Sequence, residues 1–390
     1  MRSLLLAATL TLANLASAQV LDSRTFSTDG HPMQAIWSPD GQHVLVTVSR
    51  PRESGIEVFA VDGDKLKREA YQPVGSNNAQ GILFIPHTGL LAIGLTDAGV
   101  GFLPLDATLK GTAQPRAILQ GDRSGSLFLA VTPDSKTLFV ANEYLRNGSV
   151  GVIALGRDQN RLTPITTAQI QTQIATPGIA ISPDGTRLYA VSEVLPRVLS
   201  EKIPGHDREL EHGGCTQGAG GSQPNGALYV IDTAKAAALP LASTAQQEHD
   251  ATPGLINAGC SPVRVAVSSD GHTVYVTARG DNRVLVFDAA ALEHDPNHAL
   301  LHAIPTGGDA PVGLALFDHD RKLLVANSNR FSGGSGNVTV IDLATDPANP
   351  KVVQTIKTGD FPRNITTSAD GRSLLVTVYL SNEVMLLTMK

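Results

Sequence analysis

A turn of the Ser/Thr-Pro-Asp-Gly type followed by an apolar, β-branched run occurs seven times along the 390 residues of this chain. The instances are SPDGQHVLVTV from Ser38, IPHTGLLAIGL from Ile85, TPDSKTLFVAN from Thr132, SPDGTRLYAVS from Ser182, SSDGHTVYVTA from Ser268, FDHDRKLLVAN from Phe317 and SADGRSLLVTV from Ser368. Five of the six start-to-start intervals lie between 47 and 51 residues, and only the step from Ser182 to Ser268 is long. A fixed period of this size means a propeller or an array, because one unit alone cannot bury its apolar face.

The fifth unit shows the pattern best: CSPVRVAVSSDG, HTVYVTARGDN, RVLVFDAAAL and HALLHAIPTGG. Alternating apolar positions such as Val274, Val276 and Ala278 give the two-residue period of strands packed on a face. The Asp-Gly pairs supply tight hairpins, with positive φ expected at Gly271. Four strands per unit and seven units predict an all-β chain, a single seven-bladed β-propeller of four-stranded blades. The last unit ends at NEVMLLTMK with its third strand, while VLDSRTFST stands alone ahead of the first unit. That N-terminal strand, residues 20–28, is therefore expected to complete the last blade and cover its edge.

The first residues place Arg2 before a short apolar stretch that ends in Ala16-Ser17-Ala18, the pattern of a signal-peptidase site. Residues 1–18 are read as a signal peptide, and residues 19–390 as the propeller. The competing reading, a membrane anchor, would need about 20 apolar residues, and this run covers only residues 4–15. Export to the periplasm or the exterior is the expectation, with no membrane span in the mature chain. The net charge of −6 without a Lys/Arg run argues against nucleic acid as partner. The two cysteines, Cys215 and Cys260, are expected to pair once oxidised; two free thiols or half a metal site are the alternatives. A monomer is expected.

With its preceding GxxPxxxAxSPDG pattern, VYVTARGDNRVLVFD resembles the YVTN-type repeats of YncE-like propellers. The resemblance covers essentially the whole mature chain and implies a fold and a binding role without an assigned reaction. The repeat is also similar to 6-phosphogluconolactonase-like lactonases and to the haem d1 domain of nitrite reductase.

In a propeller, the loops entering the innermost strands and those leaving the second strands share one face. That rim is expected to collect His31, Asn78, Arg123, Glu143, Glu193, Arg264, Arg279, Asn329, Arg330 and Arg363. The predicted ligand-binding set is Arg264, Arg279, Arg363, Asn78, Asn329 and Arg330, with Arg264, Arg279 and Arg363 as a cationic floor for an anion or sugar. The competing account is structural, since rim polar groups also bond neighbouring-blade carbonyls and channel water. An insertion at about residues 195–225, in blade four, falls on the same face, and a Cys215–Cys260 bridge would pin it there as a lid.

No GxSxG, HExxH or P-loop is present. For water activation the rim offers only His31, Glu143 and Glu193. His206, Asp207, Glu209, Glu211 and His212 in the insertion read as a solvated loop, so no metal is predicted. Haem d1 would need axial histidines over the channel, where only His31 sits, so no cofactor is predicted either. HDPNH and EHDAT, around His294 and His249, read as solvated connections. These residues support a propeller that binds a small polar molecule or a protein partner at its rim, with a lactonase-like hydrolase as the alternative. Whether the chain is an enzyme stays open at this point.

Overall fold

The computed structural model describes residues 21–76, 78–114, 117–119, 125–143, 148–158, 161–173, 175–194, 217–218, 221–222 and 225–389. The leader, Arg123, Cys215 and most of the insertion, including His206, Asp207, Glu209, Glu211 and His212, lie outside the described residues. Seven antiparallel four-stranded sheets follow one another along the chain, each in the order innermost to outermost. The innermost strands are His31–Trp37, Ala79–Ile85, Ser126–Val131, Gly178–Ile181, Pro262–Val267, Pro311–Phe317 and Pro362–Thr367. No helix among the described residues is long and apolar enough to cross a membrane.

The seventh blade takes its outermost strand from the other end of the chain. Leu21–Ser27 pairs antiparallel with Glu383–Met389, from Leu21 opposite Met389 to Ser27 opposite Glu383. Thr28 N donates to Asn382 O at 2.8 Å, and the Gln354 side chain of blade six holds both backbone groups of Leu21. The closure expected from the lone N-terminal strand is the one observed.

Five of the seven repeated turns are locked in one way by their own side chains. Ser38 Oγ donates to Asp40 Oδ1, Gln42 N donates to the same oxygen, and His43 N donates to Ser38 Oγ. The pattern returns at Thr132/Asp134, Ser182/Asp184, Ser268/Asp270 and Ser368/Asp370. Gly271 has φ +77°, the left-handed conformation that its turn requires.

The apolar runs after these turns are buried on both faces. In blade one Val44, Leu45, Val46, Thr47 and Val48 all have no exposure. Leu45 packs toward blade two, whereas Val44, Val46 and Val48 pack toward blade seven. The fifth blade corrects the one-face reading in the same way: Val274, Val276 and Ala278 face blade four, but Tyr275 faces blade six. A strand sandwiched between two neighbouring sheets needs apolar residues at every position, as in any doubly covered sheet. The core is thus seven inter-blade clusters, one at each seam of the ring.

Two connections read as loops contain helical turns. Ala245–Asp250 is a helix with a capping box, in which Thr244 and Gln247 satisfy each other's backbone. His249 lies in its last turn, and His294 ends another short helix, Ala291–His294.

Candidate functional site

One backbone device sets the level of the rim. The first residue after the second strand donates its N–H to the carbonyl just before the innermost strand: Thr96 to Asn78, Glu143 to Gly125, Glu193 to Ala175, Arg279 to Ser261, Ser328 to Ala310 and Tyr379 to Phe361, at 2.9–3.3 Å. Ala175, Ser261, Ala310 and Phe361 all hold φ between +42° and +62° to make this contact. Six blades therefore present their exit residue at one height around the channel.

A second ring is set by a bulge in the innermost strand. Gln34, Gly81, Phe128, Gly178, Arg264, Gly313 and Asn364 occupy equivalent places, with glycine in blades two, four and six. At Gly178 a Cβ would meet Val263 O at 2.5 Å and Arg264 Cδ at 3.3 Å. The Arg264 side chain runs across this bare backbone from blade five and stacks on Phe128 of blade three, with Cζ 3.8 Å from the ring centroid. Its Nη1 donates to Pro177 O at 2.6 Å and to Val263 O at 3.0 Å.

Arg279 closes the other side. Its Nη2 donates to Ser261 Oγ at 2.7 Å and meets Glu193 Oε1 at 3.1 Å, and its guanidinium lies 5.6 Å from the Phe331 ring. Arg363 lies 5.4 Å from the Tyr379 ring and 5.8 Å from that of Phe361, which also faces Arg330 at 5.8 Å. Arg264 and Arg279 are each only 7 % exposed. The Nε atoms of Arg264, Arg279 and Arg363 are buried without an acceptor among the described residues.

Four guanidiniums, Arg264, Arg279, Arg330 and Arg363, thus share one site with two carboxylates, Glu143 and Glu193. Burial pulls Arg264 down to about 9, aided by Arg363 beside it, while Glu143 and Glu193 pull the other way; it stays cationic at neutral pH. Burial also lowers Arg279 and Arg363. Glu143 is raised above the usual carboxylate range, first by burial and then by Glu193, against the pull of Arg363, Arg264 and Arg279.

Blade one offers a contrast. Arg50 turns into its own sheet, 3.0 Å from the fully buried Glu57 and over the Tyr71 ring at 3.9 Å. Arg68 and Asp29 complete that cluster. Two cations face two carboxylates there, and the group is balanced internally; among the described residues the arginine cluster of the mouth carries two surplus positive charges, in a chain of net charge −6.

Of the residues singled out in the sequence, the structure brings Glu143, Glu193, Arg264, Arg279, Arg330 and Arg363 together. His31 joins through Tyr379, stacking on its ring at 4.7 Å and placing Nδ1 2.9 Å from its carbonyl oxygen. Asn78 bonds Asp97 at 3.2 Å, and Asn329 bonds Gly333 O and Ser335 O within its own loop. Sequence reasoning did not single out Phe128, Phe331 or Phe361 as arginine partners. Superposing the repeats would have found Phe128, because it stands where Arg264 stands two blades on. Among the described residues no cluster of His, Cys, Asp and Glu could hold a metal. A separate cleft of about 290 Å³ lies between the turns of blades one and seven, lined by Trp37, Asp40, Asp370 and neighbours.

A family model described as "Lactonase, 7-bladed beta-propeller" matches residues 179–345, less than half of the chain. The match includes Glu193, Arg264, Arg279 and Arg330 and leaves out Glu143 and Arg363. No curated protein matches. Among solved structures the chain is similar to hydrazine synthase of Kuenenia stuttgartiensis, with 16 % identity, TM-score 0.62 and coverage of 97 % of this chain and 99 % of that one. It is also similar to the Cps50 (Swd1) β-propeller domain of Myceliophteria thermophila, with 10 % identity, TM-score 0.63 and coverage of 95 % and 100 %. A chain of a mitotic checkpoint complex aligns at 12 % identity and TM-score 0.64, covering 100 % and 98 %. At these identities the likeness is one of fold. The chain is a seven-bladed β-propeller.

Proposed function

We propose that this propeller binds a small anionic ligand, free or displayed by a protein partner, at the arginine-rich mouth of its channel. The observation that carries the reading is the charge imbalance among the described residues: four guanidiniums against two carboxylates, in a site where water screens poorly. Arg264 is the residue to test first. In Arg264→Ala the thermal shift induced by an anion panel should vanish while the unliganded melting temperature holds. A large fall in melting temperature, with the ligand response retained, would assign Arg264 to the fold alone.

The second reading is a lactonase-like hydrolase, favoured by the partial family match and by Glu143. A buried carboxyl whose pKa burial raises can exchange a proton with water or a leaving group. Assaying lactones with the wild type and with Glu143→Gln decides it: turnover lost in the variant supports hydrolysis, and no turnover in either removes the reading.

We further propose that the chain is exported and that Cys215 and Cys260 are bonded. The leader supports export, and the 1 % exposure of Cys260 suits a bonded sulfur. Closing a loop of about 45 residues would stabilise the fold by roughly 4 kcal/mol in the chain-entropy treatment. Two titratable thiols in the native, non-reduced protein would refute the bridge.

A further inference from the structure

The mouth already holds a stand-in for its ligand. Glu193 is committed to Arg279 by a 3.1 Å contact. Glu143 has its backbone tied to Gly125, and among the described residues its carboxylate has no such close cationic partner, although Arg363, Arg264 and Arg279 all act on it. It is the weakest-held negative charge in the cluster. An anion drawn to the same arginines must share space with it, and two buried anions side by side repel; a carboxylic acid and an anion do not.

Resting on the anion-binding reading above, we propose that the ligand is a compact dianion and that Glu143 is the internal counter-ion it displaces, taking up one proton as the anion enters. The surplus charge favours a dianion: among the described residues the four arginines and two carboxylates sum to +2 with Glu143 ionised and to +3 once it is protonated, so a dianion offsets more of that charge than a monoanion does. A dicarboxylate and a phosphomonoester share the required chemistry. The charged groups that face Glu143 are Glu193 from blade four, Arg264 and Arg279 from blade five, and Arg363 from blade seven. Among the described residues of this group, only Glu143 both has its pKa raised by burial and lacks a close ion pair. Among the described residues His31, which touches Tyr379 beside Arg363, is the competing proton acceptor to test.

The balance is simple: the anion and one proton enter together, and no covalent bond forms or breaks. Affinity should therefore fall as pH rises, by up to about tenfold per unit where one proton is taken up. Sulfate is the probe of choice, because it remains a dianion across pH 6–8 and takes up no proton itself. Titration calorimetry of the full chain with sulfate, in two buffers of different ionisation enthalpy, reads the proton count directly. Succinate and methyl phosphate, run beside it, separate the dicarboxylate source from the phosphomonoester source, and chloride gives the monoanion baseline.

The expected result is sulfate binding with fractional to full uptake of one proton, at least tenfold tighter than chloride, and weaker at pH 8 than at pH 6. In Glu143→Gln, which mimics the protonated carboxyl, uptake should vanish, the pH dependence should flatten and sulfate should bind tighter at pH 7.5. Sulfate binding without uptake and without pH dependence overturns the displacement and leaves the anion site standing. So does uptake that survives in Glu143→Gln but is lost in His31→Gln. Chloride binding as tightly as sulfate overturns the dianion. Failure of sulfate, succinate and methyl phosphate alike to bind removes the anion-binding reading itself. The wild-type buffer comparison needs no variant, so absence of uptake overturns the displacement even if Glu143→Gln does not fold, and loss of uptake in His31→Gln then overturns the assignment to Glu143.

Discussion

Arg264 can lie where it does because Gly178 has no side chain. The guanidinium crosses blade four at that residue to reach Phe128, and a methyl group there would press on Arg264 Cδ at 3.3 Å and on Val263 O at 2.5 Å. Overpacking of this kind typically costs 1–3 kcal/mol. Gly178→Ala is expected to lower the melting temperature and to weaken anion binding together, because the same methyl group moves the arginine off its ring. Gly313→Ala makes the comparison: its Cβ would meet Arg363 O at 2.6 Å and the Asn364 backbone, so it strains the ring on the Arg363 side and should lower the melting temperature without moving Arg264 off Phe128. Glu143 has a second consequence at this scale. Its pKa is raised in the fold, so its contribution to stability is complete at low pH and is lost as pH rises through the folded value. Thermal melts should show Glu143→Gln at least as stable as the wild type at pH 7.5, with the difference closing toward pH 4. A variant less stable at pH 7.5 than at pH 4, relative to wild type, would mean that the carboxylate is held by its arginines more strongly than burial opposes it.

Threonines on the second strands link neighbouring blades in a way that no single repeat displays. Thr47 Oγ1 accepts from Gln34 N at 3.1 Å within its blade and donates to Gln80 O at 2.6 Å in the next. Thr277 does the same between Arg264 N and Val312 O, and Thr377 between Asn364 N and Met33 O. Each hydroxyl is fully buried, and replacing it by a methyl group leaves one donor and one acceptor without partners, which costs about 1–3 kcal/mol. Thr47→Val should therefore lower stability by about that much in denaturant titration while leaving anion binding unchanged, because its hydroxyl bonds Gln34 and Gln80 and none of the mouth arginines. The elements themselves were legible: strand positions follow from turn chemistry and period, and the hairpin at Gly271 has the φ its Asp-Gly predicts. What each strand faces was not. Tyr275 reads as the polar-side residue of an alternating strand, yet it packs on blade six, because its surroundings are fixed by a sheet some 40 or more residues away in sequence. The arginines of the mouth were legible as a set, whereas their aromatic partners Phe128 and Phe331 were not, since cation–π pairs here join different blades and loops.

At the scale of the ring, stability rests on seven apolar seams, each shared by two sheets. Fully burying one Val or Leu contributes about 1.5–3 kcal/mol, against about 1 kcal/mol net for one hydrogen bond. The seams therefore outweigh the polar links, and losing any one opens the ring. The seam between blades six and seven includes Leu21, 4 % exposed, alongside Met385 and Leu387 of the strand that the N-terminal strand covers. Deleting residues 21–27 removes that side chain and the seven-residue pairing from Leu21–Met389 to Ser27–Glu383. It also uncovers the N–H and C=O groups of Glu383–Met389 as a free sheet edge, the feature that invites strand addition from another chain. The truncated protein should melt markedly earlier than the full chain and associate with itself in light scattering, and a peptide of residues 21–28 added in excess should restore the melting temperature. If seams alone held the ring, the deletion would cost only the packing of Leu21 and Phe26, melting would fall slightly, and no association would follow. Rescue by the peptide therefore distinguishes closure by strand pairing from closure by packing, and an unchanged melting temperature would rule out both.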